Sequence, residues 1–188
     1  MQLISDAIDL HDIYRFLAQA MRYPDQNRMN GTFFKVLINF LDELGWENDS
    51  QELRSAIHDW ERFVEALQVE NTRLFINAVP HVVAPPYASL YMEKQGQFYG
   101  NIAEKTKDFY REMGYEPALQ DDLPDSLITE LEFLALLEKE DNDLADSFLN
   151  KYFRPWFPRF RDRVLTNTIN PYYKTIVRLI DFFTMEEH

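Results

Sequence analysis

The chain has 188 residues, 46% of them hydrophobic, with a formal net charge of −13 and no cysteine. That length and apolar share suffice for one domain of ordinary size with a buried core, and they argue against a disordered chain. The acidic balance argues against binding nucleic-acid backbones or an anionic membrane surface, and the missing thiols exclude disulfides, cysteine nucleophiles, zinc fingers and cysteine-ligated iron–sulfur clusters.

Residues 1–10 carry no basic region and no long apolar run, so no secretory signal is read there. No stretch approaches the ~18 apolar residues of a membrane span. The expected compartment is the cytoplasm, with no stable membrane insertion. Only five glycines are present, and β-branched runs are few, which favours helices over strands.

A first helix is expected over residues 9–22, with Leu10, Ile13, Leu17 and Met21 on one stripe and Pro24 beyond its end. A second follows Asn30-Gly31, burying Phe33, Leu37, Phe40, Leu41 and Leu44, and Gly45 closes it. Asp49 and Glu52 have capping-box spacing. Leu53, Ile57, Trp60, Val64 and Leu67 then repeat at four and three, which predicts one amphipathic helix with a break at residues 68–72 before Leu74, Phe75 and Ala78.

The pattern fails over residues 79–87. Three prolines there remove amide donors and push their predecessors toward extended geometry. The stretch is too apolar for an ordinary solvated loop and is a candidate hinge. Helical patterning resumes at Phe98 with Ile102, Phe109 and Met113, and Gly114 ends it. An acidic run containing Asp121, Asp122 and Asp125 leads into a helix over residues 127–139 that is apolar nearly all round, as a central helix is. Elements over residues 143–153 and 156–165 follow. Asn170-Pro171 then starts a last helix whose stripe is Tyr172, Ile176, Leu179 and Phe183. The expected architecture is an all-α, single-domain bundle of eight to ten helices over residues 1–188.

Catalytic chemistry finds little support. His11, His58, His81 and His188 show no metal-ligand spacing. No Walker sequence, Rossmann glycine pattern or Gly-x-Ser-x-Gly elbow is present. Glu130 and Glu132 lie in the most apolar helix, where a carboxylate is either buried with a raised pKa or partly exposed. Tyr87 and Tyr91 follow the proline loop at a spacing of four. On a helix they project to one side, and they suit either core packing or peptide recognition.

Three segments together resemble a known family. Thr72-Arg73-Leu74-Phe75, followed by Ala84-Pro85-Pro86-Tyr87-Ala88-Ser89-Leu90-Tyr91, resembles the first signature of the TorD/DmsD/NarJ-type redox-enzyme maturation chaperones. Leu123-Pro124-Asp125-Ser126, running into Glu130-Leu131-Glu132-Phe133-Leu134, resembles the second. Phe148-Leu149, Trp156-Phe157-Pro158-Arg159-Phe160 and Asn170-Pro171-Tyr172-Tyr173-Lys174 resemble the C-terminal part. The likeness covers roughly residues 70–183, and the preceding third agrees as a helical pattern only.

The resemblance implies a TorD-like helical fold and a non-enzymatic chaperone without a cofactor. Its partner would be the precursor of a molybdenum-containing oxidoreductase. The chaperone would hold the twin-arginine leader, or another segment, until cofactor insertion is complete. On the same basis Leu74 and Phe75 sit beside the peptide groove, and Pro85, Pro86, Tyr87 and Tyr91 match the loop and aromatic positions. Asp125 matches the acidic member of an Asp-His pair, and Glu130 of the second signature joins the set. Ser126 stands where the family has histidine, which leaves open whether the client carries a twin-arginine leader. Physically, Asp121, Asp122 and Asp125 suit both guanidinium pairing and helix capping. A structural adaptor or accessory subunit that binds a partner helix is the alternative function, and the chain is read as a monomer or a domain-exchanged dimer.

Overall fold

The computed structural model describes residues 9–79, 81–93, 100–116, 123–140 and 142–185. Phe98, Tyr99, Asp121, Asp122 and His188 lie outside them. Ten α-helices occur among the described residues: α1 Leu10–Met21, α2 Gly31–Glu43, α3 Glu47–Ala56, α4 Trp60–Asn71, α5 Ser89–Met92, α6 Asn101–Glu112, α7 Leu127–Glu140, α8 Asn142–Phe148, α9 Phe157–Asn167 and α10 Pro171–Thr184. The backbone widens into π-helical turns at Thr72–Ile76 and Leu149–Phe153. The one β feature there is an isolated bridge between Tyr87 and Ser126.

Helix starts follow side-chain chemistry. Asp9 caps α1, Asn30 caps α2, and Asn170 caps α10 with Pro171 at its first position. Gly45 and Gly114 adopt φ of 75° and 69°, the left-handed geometry that terminates a helix and that a Cβ would strain.

Four expectations are corrected. Residues 53–67 do not form one helix. α3 ends at Ala56, and Asp59 starts α4 by accepting hydrogen bonds from the amides of Glu61 and Arg62. The periodicity ran across that break because both helices turn an apolar side to the same core, with Leu53, Val64 and Leu67 all fully buried.

Asp49 and Glu52 are not a capping box either. α3 begins at Glu47, and Asp49 instead accepts from Thr175 Oγ1 and pairs with Arg178, tying α3 to α10. The break expected at 68–72 is absent. α4 runs through it and continues as the π turn, with Thr72 Oγ1 donating to the Gln68 carbonyl. Tyr87 and Tyr91 do not share a helix, since α5 starts at Ser89.

The core is strongly aromatic. α1 and α7 pack along each other, and Leu17, Leu131 and Leu134 are fully buried. Phe109, Tyr110, Phe133, Phe148 and Tyr152 make one ring cluster. A second ring series runs from Tyr91 through Trp156 and Phe160 to Phe75 and Tyr173. Among the described residues no helix is long and apolar enough to cross a membrane.

Candidate functional site: a proline loop seated on a buried carboxylate cluster

The proline loop is tied at both ends by backbone hydrogen bonds. The Ala84 amide donates to the Leu74 carbonyl at 2.8 Å, within the first π turn. Further on, the Leu127 amide donates to the Pro86 carbonyl (3.0 Å) and the Ala88 amide to the Asp125 carbonyl (2.9 Å). These bonds join the loop to the start of α7. Prolines supply no amides, so these bonds are made by carbonyls and by the flanking amides.

Beneath the loop lie two carboxylates. Asp125 is fully buried, and its Oδ2 accepts the Ser89 amide at 2.8 Å, so it holds the start of α5. Ser126 starts α7, its Oγ accepting the Thr129 amide at 3.1 Å. Glu130 is also fully buried. Its Oε2 accepts the Trp156 indole N–H at 3.0 Å. Burial pushes the Glu130 carboxyl well above the usual carboxylate range. The Trp156 hydrogen bond opposes that shift, and the charge of Asp125 adds to it. Asp125 Oδ1, Glu130 Oε1 and Ser89 Oγ remain buried without hydrogen-bond partners.

Aromatic and cationic groups close the far side. The Tyr91 ring lies 5.6 Å from that of Trp156, and the Arg163 guanidinium sits 5.0 Å from the Tyr91 ring centre. Arg159 donates to the Tyr91 carbonyl at 2.6 Å. Burial raises the Tyr91 phenol, with Arg163 acting the other way.

The nine residues singled out in the sequence therefore come together, but in two layers. Leu74, Phe75, Tyr91, Asp125, Ser126 and Glu130 are buried, whereas Pro85, Pro86 and Tyr87 are half-buried and reach the surface. Ser89, Arg159 and Arg163 join the cluster without having been read as site residues. The spacing of four between the two arginines was the available signal, because it puts both on one side of α9. Among the described residues no group of three or more His, Cys, Asp or Glu is arranged to hold a metal ion.

A model of the family described as nitrate reductase delta subunit matches residues 41–162, which include the loop and both signatures. The chain belongs to this family. It is 24% identical over 174 residues to the Tat proofreading chaperone DmsD of Salmonella typhi, covering 88% of this chain and 82% of that protein. It is 27% identical over 177 residues to the chaperone protein TorD of Actinobacillus succinogenes, covering 91% and 90%. A solved structure from Archaeoglobus fulgidus, assigned to redox enzyme maturation, superposes with a TM-score of 0.66 at 26% identity, covering 93% of this chain and 94% of that one. The TorD/DmsD resemblance and the all-helical TorD-like fold are thus established, and with them a chaperone role in redox-enzyme maturation rather than catalysis.

Proposed function

We propose that this chaperone acts in the cytoplasm on the precursor of a molybdenum-containing oxidoreductase. It binds the client's twin-arginine leader or another segment during cofactor insertion and before export. The observation that carries this reading is the loop. Pro85, Pro86 and Tyr87 form a stiff apolar edge at the surface, tied by backbone hydrogen bonds to the π turn and to α7. A pre-organised edge of proline and tyrosine binds a peptide with little ordering cost. Asp125 and Ser126 act as positioning residues that keep the edge in place, Leu74, Phe75 and Tyr91 support it from below, and Glu130 anchors Trp156 behind it. The net charge of −13 speeds encounter with a basic leader.

A second reading has a specific basis, because the matching family model is described as a subunit of nitrate reductase. In that reading the same edge holds a partner helix in a stable complex. Tagged protein at native abundance, pulled down with its partners identified by mass spectrometry, separates the two. A precursor that still carries its leader supports the chaperone. A mature enzyme in fixed ratio supports the subunit, and no redox enzyme in the eluate contradicts both.

A further inference from the structure

We propose that a trough crossing α1 is a second docking point for the client leader, one that takes its apolar stretch with the basic end over Asp12 and Glu43. This rests on the leader-binding reading above and adds a site that the signature residues do not include. Two open cavities flank α1. The larger, about 660 Å³, lies toward α7 and is lined by His11, Arg15, Leu136 and Lys139 among others. The smaller, about 330 Å³, lies toward α2 and is lined by Ile13, Val36, Phe40 and Glu43. Asp12 and Phe16 line both, so the two cavities adjoin across α1.

Its floor is aromatic, with Phe16 stacked on Phe33 at 5.3 Å. Its banks leave apolar groups in water, since Val36 is 52% and Leu136 38% exposed in the middle of helices that otherwise pack the core. That combination suits an apolar occupant.

The polar groups narrow the occupant to a peptide. On the α7 side, Arg15 and Lys139 make no ion pair with any described residue, so their donors are free for carbonyls. Behind the same wall lie buried acceptors. His11 is buried and bonded through Nδ1 to the Ala135 carbonyl, which leaves Nε2 without a hydrogen bond. Glu132 has one carboxylate oxygen on Arg22 at 2.6 Å and the other buried without a partner. The donors match carbonyl oxygens, which a peptide backbone supplies and a lipid tail does not. On the α2 side the charged lining groups among the described residues are Asp12 and Glu43. This sets the direction: the basic end lies toward α2 and the apolar stretch crosses Phe16 toward α7.

Reach is no obstacle. Leu136 stands nine residues along α7 from the loop attachment at Leu127, or about 14 Å at ~1.5 Å per residue. An extended peptide covers that axial distance in about five residues. That axial separation is within the length of one leader.

The absence of cysteine gives a clean test. Full-length Val36→Cys carries a single benzophenone label and is irradiated with a fluorescent synthetic leader, two consecutive arginines followed by an apolar run. Val69→Cys on α4, 72% exposed, is the control. Cross-linking at 36 and not at 69 is expected. By fluorescence anisotropy, Val36→Lys should weaken binding about tenfold, the size of a lost interface anchor, while Val69→Lys leaves it unchanged. Glu43→Lys should weaken binding of the arginine peptide, and that loss should vanish when both arginines are glutamine. If the wild type binds the leader, but position 36 does not cross-link and Val36→Lys binds normally, the trough proposal is overturned and the leader reading stands. If the wild type binds no leader, the leader reading fails and the trough proposal with it.

Discussion

Replacing Glu130 with glutamine is the sharpest test of the buried cluster. The carboxyl is fully buried, receives one hydrogen bond from Trp156, and lies near enough to Asp125 to be disfavoured as an anion. Its folded pKa is therefore above its unfolded value of ~4.3, and the folded state holds the proton more tightly. The sign follows from linkage. The stabilisation is fully present below the unfolded pKa and is lost as pH rises toward the folded pKa, with a slope of up to about 1.4 kcal/mol per pH unit. Glutamine keeps the shape, offers its carbonyl oxygen to the indole and does not titrate.

Glu130→Gln should match the wild type within ~1 kcal/mol near pH 4.5 and become progressively more stable than it as pH rises. The assay is urea unfolding of both proteins across pH 4.5 to about 8, analysed as the difference so that the rest of the acidic surface cancels. Glu130→Ala removes packing and leaves the Trp156 N–H unsatisfied. Relative to the glutamine variant, which does not titrate either, it should cost about 3–5 kcal/mol at every pH. Parallel stability curves for Glu130→Gln and wild type would refute the raised pKa, and with it the account of this cluster as a neutral-held carboxyl.

Asp125→Ala removes the acceptor for the Ser89 amide and should cost about 1–2 kcal/mol. Hydrogen exchange should quicken at Ser89 and Ala88 before it quickens in α7. Size-exclusion with light scattering should show any domain-exchanged dimer first in this variant, because the loop has lost an anchor. Trp156→Phe keeps the rings packed but strands Glu130 Oε2, so ~1–3 kcal/mol should be lost, and Glu130→Gln should not restore it. Pro86→Ala should shift stability by less than ~1 kcal/mol, since the attachment is made by the Pro86 carbonyl. The same variant should weaken peptide binding measurably by anisotropy, because the edge becomes more flexible.

Legibility in the sequence depended on what kind of signal each element carried. Caps and stops made of one residue were readable: Asn170-Pro171, Gly45 and Gly114 act as expected because their effect is local. The junction at Ile57 was not, because two helices with a common core keep one apolar rhythm across the break. Asp49 was misread because an acid at capping spacing was taken by Thr175 and Arg178, more than a hundred positions away. The π turn at Thr72–Ile76 likewise has no sequence periodicity of its own. For the candidate site, the structure brings the named residues together, but their burial was not legible. Proline, tyrosine and aspartate types marked segments that the fold brings together, yet nothing local says that Asp125 and Glu130 face inward while Pro85 and Pro86 face out. The trough across α1 was invisible for the same reason, since it depends on where α2 and α7 lie.

The layering has a consequence for what the signatures mean. Six of the nine signature residues are buried, and where their polar atoms are bonded the partners lie within the fold: Asp125 Oδ2 and Ser126 Oγ accept backbone amides and Glu130 Oε2 accepts the Trp156 indole, while Asp125 Oδ1 and Glu130 Oε1 have no partner. A buried Asp125 that holds a loop gives the same loop to any client. On the proposed reading these residues define the frame that holds the loop, not the choice of enzyme served. On the same reading, choice rests on the groups proposed to meet the client: Pro85, Pro86 and Tyr87 at the edge, and Asp12, Val36, Glu43, Leu136 and Lys139 in the trough. Ser126 fits this division. Its hydroxyl is used within the fold to start α7, so replacing histidine there changes how the frame is built rather than what the surface offers. Ser126→His should accordingly alter stability more than peptide preference. A swap of the trough residues with those of a relative that serves a different client should do the reverse, moving preference at nearly constant melting temperature. If the signature swap moved preference and the trough swap did not, this division between frame and contact surface would be wrong.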